Sequence, residues 1–496
     1  MYNARYLSAA GFAFMILTGI IVPGAAAMQQ TPLRDPSGMM KPSQRGEWIE
    51  QASGFPTASR GINYISIVDE NISWAQGYDG RHPSDPCQNY TRTLDGGTTW
   101  TASTIPGVPE LKFSMLYALD ADTAWACMLA ASSPGPQGIY KTSDGGSTWH
   151  YQAAAAFDPS TDVSYPDCVH FFDANTGWCL GDPRDGYFEI YTTNDSGANW
   201  TRVPSINIPE PLTDEYGVTG FYTAIGSTVW FGTSLGRLYK SVDQGHHWTV
   251  AQTTDRGFIK PAFRDADHGL VLDVNQDAIP LLSETSDGGT TWTDVLFTGA
   301  CYDNSICYVP GTSNMYVSVG AATNASGAAY SFDGGHTWND YAEFQNHTPS
   351  TQLLSVAFTT HKIGWAGSFN SNETTGGVWK HMTSEGPNPI FVIDVFDGKG
   401  LTLNVINAGD RNATNVSCAI RITGGLWIQQ RAFTQTTPLL TPGGNFSFTE
   451  KVIGIGLGII KSIPVPSIAI TVTCSENVSA AKTAHAKIFL WNVMLQ

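Results

Sequence analysis

One octapeptide recurs six times along the chain, and this repeat restricts the fold more than any other feature. It has the form Ser/Thr-x-Asp-x-Gly-x-x-Trp, and successive aspartates lie 44 to 51 residues apart. A period of that length is typical of one four-stranded blade of a β-propeller. The aspartates are Asp95, Asp144, Asp195, Asp243, Asp287 and Asp333, and the matching tryptophans are Trp100, Trp149, Trp200, Trp248, Trp292 and Trp338.

Each octapeptide contains the residues of a tight hairpin. The Asp carboxylate can accept backbone N–H bonds and close the turn, and the Gly tolerates a backbone conformation that costs other residues more. The Trp is expected to pack on the neighbouring sheet. We predict that each box joins the third and fourth strands of its unit, on the same face as the first hairpin. The longer connections then lie on the opposite face, which we predict to be the binding face.

A second motif lies upstream of each box and indicates a seventh unit. It contains a tryptophan before the first four boxes and occurs in weaker versions without one at residues 268–271 and 314–317. Its last copy, at residues 363–367, follows the sixth box and has no box after it. The segment at residues 46–51 resembles the strand that follows each box, so we predict that it closes the seventh unit and removes a free sheet edge. For the first unit the predicted strands are 64–68, 73–77, 90–93 and 98–103. The fold expected is all-β, with a seven-bladed propeller.

The repeats resemble those of the Asp-box (BNR-repeat) propellers over about residues 46–385. This group includes sialidases, xyloglucan-active glycosidases, a sorting-receptor ectodomain and the photosystem II assembly factor. The repeat unit is most similar to that of the seven-bladed assembly-factor type. The resemblance implies the fold strongly and the function weakly, because these relatives do different things.

The N-terminus predicts export from the cytoplasm. Residues 1–27 combine Arg5, an apolar run and a small-residue Ala25–Ala27 cleavage pattern, which is typical of a signal peptide. An uncleaved membrane anchor is the alternative. Residues 28–45 are expected to be a flexible segment. The protein is therefore predicted to be secreted or to lie on the extracellular surface.

Residues 386–496 are predicted to form a small β-sandwich after a short linker. Apolar residues alternate along several segments, and the region resembles immunoglobulin-like modules of prokaryotic surface proteins, which implies attachment to a cell surface. An exported chain with eight cysteines is expected to form disulfides. If bridges stay within domains, Cys418 pairs with Cys474 across the two sheets. The other six cysteines leave fifteen pairings, among which Cys301–Cys307 is favoured by closeness.

Glycosylation is expected from eleven Asn-x-Ser/Thr sequons. They lie at Asn71, Asn89, Asn194, Asn199, Asn324, Asn346, Asn372, Asn412, Asn415, Asn445 and Asn477. The net charge of −17 argues against nucleic acid as a partner. No zinc motif, P-loop or dinucleotide fingerprint is present, so no metal and no cofactor are expected. His246, His247 and His336 are interpreted as residues of box turns.

The candidate catalytic residues are acids in the long connections. The box aspartates lie too far from one another to share a substrate. A glycoside hydrolase needs two carboxylates facing each other across the substrate, and we name Asp182, Asp185, Asp214 and Glu215 as the alternative catalytic set. Solvated loop acids are the favoured interpretation. A sialidase is disfavoured because residues 60–63 lack the expected Arg-Ile-Pro segment.

The candidate binding residues are cations in or near the same connections. They are Arg81, His82, Arg184, Arg237 and Arg256. Together they could form a basic funnel for an acidic or peptide partner, and the alternative is scattered surface cations. Tyr216, Tyr222 and Trp230 could stack on a sugar, although core positions suit them better. The favoured function is an extracytoplasmic, non-enzymatic scaffold that binds a protein or glycan. The alternatives are a secreted glycoside hydrolase and a structural adhesion component.

Overall fold

The computed structural model describes most of the chain between residues 46 and 495. Outside the description lie residues 1–45, 131–135, 156, 158–163, 255–256, 275–279, 323–324, 346–350, 383–388, 390, 397, 409–411, 426, 429–430, 442, 457–464, 476–477, 491 and 496. The predicted signal peptide, the segment 28–45 and Arg256 fall among them. The chain divides into two compact units. The first comprises Glu47–Pro310 and Met315–Met382, and the second includes Thr383–Gln496 and Gly311–Asn314.

The described chain is rich in β-strands and has almost no helix, which confirms the all-β prediction. The strands of the first unit are β1 (Glu47–Ala52), β2 (Arg60–Ile67), β3 (Ser73–Asp79), β4 (Asn89–Thr93), β5 (Thr101–Thr104), β6 (Leu111–Ala118), β7 (Ala124–Ala130), β8 (Gly138–Thr142), β9 (His150–Tyr151), β10 (Pro166–Phe171), β11 (Gly177–Arg184), β12 (Tyr187–Thr193), β13 (Thr201–Arg202), β14 (Gly217–Ile225), β15 (Thr228–Thr233), β16 (Arg237–Ser241), β17 (Thr249–Gln252), β18 (Ile259–Phe263), β19 (Gly269–Asp273), β20 (Leu281–Thr285), β21 (Thr293–Asp294), β22 (Ser305–Tyr308), β23 (Tyr316–Ala322), β24 (Ala325–Ser331), β25 (Asn339–Asp340), β26 (Ser355–Thr360), β27 (Ile363–Asn372) and β28 (Thr375–Met382). A 3₁₀ turn at Ser205–Asn207 and the single-turn helix α1 (Ala342–Gln345) complete the unit.

Successive strands of the first unit pair antiparallel in sets of four. The sets begin at β2, β6, β10, β14, β18 and β22, and a last set consists of β26, β27, β28 and β1. The first strand of each set contacts the first strand of the next, and β26 contacts β2, so these strands close a ring. The predicted pairing of the N-terminal strand with the last unit is present, because Trp48 of β1 lies opposite His381 of β28.

The strand bounds of the first set differ from the prediction at both ends. Strand β2 begins at Arg60 rather than Tyr64, because its register with β3 continues through Arg60 opposite Asp79. Strand β5 begins at Thr101 rather than Thr98. The box turn occupies the intervening residues, since its side-chain hydrogen bonds hold Thr98 and Thr99 in the turn.

The box hairpins have the predicted geometry, as the first box shows. The backbone N–H of Thr99 donates to Asp95 Oδ1 at 2.8 Å, and the Thr99 hydroxyl donates to Asp95 Oδ2 at 2.7 Å. The Thr93 hydroxyl donates to the same carboxylate at 2.9 Å and accepts the N–H of Gly97 at 2.7 Å. Gly97 has a φ of 82°, a conformation that favours glycine. The turn between β4 and β5 is seven residues long. The Asp95 carboxylate accepts the hydrogen bonds that backbone carbonyl groups would accept in a shorter turn.

The box carboxylates make the protein sensitive to acid. Hydrogen bonds from Thr148 and Thr291 lower the pKa of Asp144 and Asp287, respectively, from 3.8 to about 2. A carboxylate with a lowered pKa stabilises the fold above its unfolded pKa, and this contribution is lost as the pH falls through the folded pKa. We expect the free energy of unfolding to fall between about pH 4 and pH 2. Asp144→Asn should lower the free energy of unfolding at pH 7 and reduce its further decrease at acid pH. Urea unfolding followed by circular dichroism measures both effects. An unchanged decrease at acid pH would contradict this account.

The tryptophans of the second repeat motif form the cores between sets. Trp74, Trp125, Trp178, Trp230 and Trp365 are all fully buried. The ring of Trp125 stacks on Phe171 of the next set at 3.6 Å between centroids. The box tryptophans add to these cores: Trp100 meets Trp365 of the preceding set edge-on at 6.3 Å. Repeated aromatic contacts between neighbouring sets thus hold the ring together.

The second unit contains two antiparallel sheets with one shared hydrophobic core. Its strands are β29 (Phe391–Phe396), β30 (Gly398–Lys399), β31 (Leu401–Asn407), β32 (Ala413–Thr423), β33 (Trp427–Ile428), β34 (Ala432–Leu440), β35 (Asn445–Glu450), β36 (Gly454–Gly456), β37 (Ser467–Thr473), β38 (Ser479–Leu490) and β39 (Asn492–Leu495). One sheet has the order β29-β31-β35, and the other contains β30-β39-β38-β37-β32-β34 together with β33 and β36. Leu403 of the first sheet and Ile420 of the second belong to the same core.

The predicted Cys418–Cys474 disulfide is absent from this structure, in which none of the eight cysteines forms a disulfide. Cys418 lies in β32 opposite Val472 of β37, and Cys474 directly follows β37. The two cysteines therefore belong to one end of the same sheet, and a bridge across two sheets cannot join them. The Cys474 thiol instead donates to the Val478 carbonyl at 3.7 Å. The favoured Cys301–Cys307 bridge is likewise absent.

Candidate functional site

The two ends of the strand ring differ, and hydrogen bonds identify them. The backbone N–H of Gly96 in the first box donates to the carbonyl of Asn71 in the first hairpin at 2.9 Å. Gly145 bonds Asp122 in the same way at 3.0 Å in the second set. Box turns and first hairpins therefore share one end. At the other end, each second strand connects to the third strand and each first strand begins. We call this end the long-connection face.

The alternative catalytic acids Asp182 and Asp185 do not form a facing pair. Asp182 is buried at the end of β11, where its Oδ1 accepts the backbone N–H of Gly217 at 3.2 Å. Asp185 occupies the exposed two-residue turn between β11 and β12 with a φ of 58°. Arg202 binds the Asp185 carboxylate at 2.7 Å and lowers its pKa. One carboxylate is thus inside the protein and the other closes a turn.

The remaining alternative acids, Asp214 and Glu215, also have structural roles. Asp214 has a φ of 62° in the connection before β14. The Glu215 side chain is fully buried and accepts hydrogen bonds from the Thr233 hydroxyl at 2.6 Å and from the backbone of Leu212 at 2.8 Å. Arg237 Nη2 lies 2.5 Å from Glu215 Oε2. Glu215 thus links the connection between β13 and β14 to strands β15 and β16 through hydrogen bonds and an ion pair.

The candidate binding arginines Arg184 and Arg237 are neutralised inside the protein. Arg184 Nη2 lies 2.8 Å from Oε1 of Glu189, whose side chain is fully buried. Arg237 is bound to Glu215 and also stacks over Tyr239, with 5.2 Å between the guanidinium carbon and the ring centroid. These two side chains therefore offer no unpaired charge to a partner. Sequence alone could not show these pairings.

Arg81 and His82 are exposed at the long-connection face, in the connection between β3 and β4. Arg81 Nε donates to the Ser59 hydroxyl at 3.3 Å. His82 lies 3.8 Å from Asp79, whose main cation is Arg60. Hydrogen bonds from Arg60 and from the backbone outweigh desolvation and lower the pKa of Asp79. Of the predicted basic funnel, this pair alone among the described residues remains open to solvent.

A buried carboxyl pair lies at the same face, formed by Asp167 at the start of β10 and Asp182. The Thr219 hydroxyl donates to Asp167 Oδ1 at 3.1 Å, and Asp167 Oδ2 has no hydrogen-bond partner in the described part of the chain. Burial, and secondly the charge of Asp182, raise the pKa of Asp167 well above its usual range. Both effects thus favour the neutral form of the Asp167 carboxyl group.

Asp167 should make the fold less stable in alkali. A carboxyl group with a raised pKa stabilises the fold fully below its unfolded pKa, and this contribution is lost as the pH rises through the folded pKa. We expect Asp167→Asn to reduce the loss of unfolding free energy between pH 5 and pH 9, because the amide cannot ionise. Urea unfolding at both pH values measures the difference. The exposed Glu110→Gln is the matched control, and equal slopes for the two variants would contradict the account.

Two cavities lie inside the ring of first strands. The first, of about 90 Å³, is lined by Tyr64, Gln76, Tyr78, Lys112 and Lys260 among others. The second, of about 430 Å³, shares Tyr64, Gly220 and Lys260 with the first. Gly220 has a φ of 72°, and a Cβ there would meet the Tyr64 ring at 2.8 Å. Sequence reasoning missed both cavities, since their walls come from strands far apart in the chain.

Other kinds of site are absent from the described residues. They contain no group of His, Cys, Asp and Glu side chains that could hold a metal ion. They also contain no helix that is long and apolar enough to cross a membrane. His170 lies at the centre of an aromatic cluster, where burial lowers its pKa to about 3. Trp230 belongs to a buried hydrophobic core, and Tyr222 packs against another.

Comparison with known proteins gives a partial match. A family model described as photosynthesis system II assembly factor YCF48 matches residues 135–261. The photosystem II assembly lipoprotein Ycf48 of Synechococcus sp. (strain CC9902) is 29% identical over 140 residues, which are 27% of this chain and 36% of that relative. The chain thus spans about a third of the curated relative's length. A β-propeller with BNR-type repeats fits this family.

Two solved structures give the scale of the structural likeness. A YCF48 bound to a D1 peptide has a TM-score of 0.48 and 17% identity, covering 68% of this chain and 97% of that one. The GH74 enzyme of Niastella koreensis has a TM-score of 0.40 and 11% identity, covering 89% of this chain and 81% of that one.

Proposed function

We propose that this chain is an extracytoplasmic, non-enzymatic scaffold whose long-connection face binds a protein partner. The observation that carries the proposal is the state of the four acids of the alternative catalytic set and of Asp167, which is buried beside Asp182. Asp182 and Glu215 are buried, while Asp185 and Asp214 hold turns. A hydrolase needs two carboxylates that face each other across a bound substrate. The partial match to an assembly-factor family supports a protein as the partner.

The scaffold is a seven-bladed β-propeller followed by a β-sandwich in this proposal. The closed ring of first strands and the pairing of β1 with β28 support the propeller. The shared core of the two C-terminal sheets supports the sandwich. Such a ring holds the connections of its blades on a rigid support, which limits the entropy lost when a partner binds.

The setting proposed is outside the cytoplasm. The apolar N-terminal segment supports export, and the similar cyanobacterial protein is named a lipoprotein. The second unit would serve attachment to a cell surface. A purely structural adhesion role is disfavoured, since it predicts no cavity and the ring contains two. A glycan is the alternative ligand of the long-connection face.

Site-specific photo-crosslinking tests the proposed function. A photoreactive amino acid replaces the exposed Arg81 on the long-connection face or, as a control, the exposed Thr290 in a box at the other end. After irradiation in the producing cells, we expect discrete protein adducts from position 81 and none from position 290. Equal adducts from both positions, or adducts from position 290 alone, would overturn the proposal.

A further inference from the structure

The smaller cavity has an unusual charge for a protein with 43 acidic and 26 basic residues. Its lining includes Lys112 and Lys260, and no Asp or Glu is among the described residues that line it. Each lysine is the second residue of a first strand, β6 or β18, so both lie near the long-connection face. The charged side chains of the described lining are therefore both positive, although acids outnumber bases in the whole protein. Such a cavity attracts a negatively charged ligand.

Each ammonium group donates to only one acceptor in the part of the chain that the structure describes. Lys112 Nζ donates to the carbonyl of Pro83 at 2.7 Å. Lys260 Nζ donates to the Ser305 hydroxyl at 2.8 Å and lies 5.5 Å from the centroid of the Phe221 ring. A lysine ammonium has three N–H groups. Among the described residues neither lysine has a carboxylate partner, so the positive charges are compensated only by neutral acceptors.

Two other residues of the lining carry polar atoms without partners. Tyr78 is buried, and its hydroxyl has no hydrogen-bond partner among the described residues. Gln76 is also buried and donates to the carbonyls of Gly77 and Phe113, while its Oε1 accepts no bond there. Buried polar atoms are normally bonded, and exceptions call for a missing partner. The Tyr78 hydroxyl could donate to an anion.

We propose that this cavity is a binding site for a single carboxylate group, held between Lys112 and Lys260. The proposal rests on the proposed function, because it names the chemistry that the long-connection face recognises. The carboxylate belongs either to a small free acid or to an acidic side chain of the partner. A volume of about 90 Å³ is more than enough for a group of that size.

The site should respond to pH. Burial lowers the pKa of both Lys112 and Lys260 to about 8. The titratable groups that act on them electrostatically are thiols, Cys87 on Lys112 and Cys307 and Cys168 on Lys260, and burial raises the pKa of all three. Tyr64 and Tyr78 also line the cavity, and burial raises the pKa of both. The thiols therefore stay neutral while the lysines lose their protons, so carboxylate binding weakens as the pH rises through about 8.

Calorimetric titration of the purified chain with acetate tests the proposal, with acetamide as the uncharged probe of the same shape. We expect one acetate per chain at pH 6.5, no acetamide, and affinity at least about tenfold lower in Lys112→Met and in Lys260→Met. Lys362→Met removes the same charge from the first hairpin of the last set and should leave the affinity unchanged. Thermal unfolding of each variant verifies that it is folded.

A capped peptide, acetyl-Gly-Asp-Gly-amide, distinguishes the two sources of the carboxylate. Binding of this peptide that depends on both lysines assigns the site to an acidic side chain of a partner, and binding of acetate alone assigns it to a small free acid. No acetate binding by the folded chain, or equal binding by both lysine variants, would overturn the proposal. Crosslinking from position 81 is read separately, so failure of the carboxylate site leaves the protein-binding function standing.

Discussion

Replacing Trp230 with alanine should lower the free energy of unfolding by about 3–5 kcal/mol. The side chain is fully buried, and its ring stacks on Phe263 of the next set with 4.0 Å between centroids. Its Nε1 donates to the carbonyl of Gly288 at 3.0 Å. The substitution therefore removes a large apolar surface and a link between two sets, and the remaining cavity cannot collapse fully in a closed ring.

Urea unfolding followed by tryptophan fluorescence and circular dichroism measures this loss. Trp230→Phe is the matched variant, because it keeps an aromatic ring against Phe263 and loses only the hydrogen bond and part of the area. It should cost clearly less than Trp230→Ala. Leu296→Ala changes a side chain that is 91% exposed and should lie within about 0.5 kcal/mol of the parent. A loss below about 1 kcal/mol for Trp230→Ala would contradict a tightly packed interface between the sets.

The second large effect concerns Arg237, which the sequence suggested as a binding residue. Arg237→Ala should lower the free energy of unfolding by about 3–5 kcal/mol, because it leaves the fully buried Glu215 carboxylate without its cation. The hydrogen bonds from Thr233 and Leu212 cannot replace that charge. The expected cause is thus loss of structure, with any loss of partner binding following from it.

The double variant Arg237→Ala with Glu215→Gln separates these causes. Removing the orphaned charge should restore a substantial part of the lost stability, which urea unfolding measures. Arg81→Ala serves as the control, because Arg81 is exposed and should leave stability unchanged within about 0.5 kcal/mol. If Arg237→Ala kept full stability and abolished only the crosslinks from position 81, Arg237 would be a binding residue and our assignment would be wrong.

The repeat predicted the hairpin structure well because the interactions that form the hairpin join residues close together in sequence. The box closes through contacts between residues at most four apart, such as Asp95 and Thr99. The strand that pairs with β28 was found because residues 46–51 share the pattern of the strands that follow the boxes. Burial of the repeated tryptophans followed from the same periodicity, as Trp125 and Trp178 illustrate.

The candidate site was predicted poorly because its chemistry depends on distant partners. Arg237 meets Glu215 across 22 positions of sequence, and nothing in the local pattern distinguishes this arginine from the exposed Arg81. Lys112 and Lys260 come together only because the ring closes. The disulfide prediction failed for a related reason. Assigning Cys418 and Cys474 to facing sheets required a strand order that alternation alone does not specify.

We expect the long-connection face to bind a partner and to have no hydrolase activity. Turnover of a panel of plant, microbial and sialylated glycans by the purified chain tests this most directly, with Asp182→Asn and Asp185→Asn as the variant pair. We expect no turnover of any glycan by the parent chain. Turnover by the parent that both substitutions abolish would contradict the account and would assign the acid–base chemistry to the end of β11.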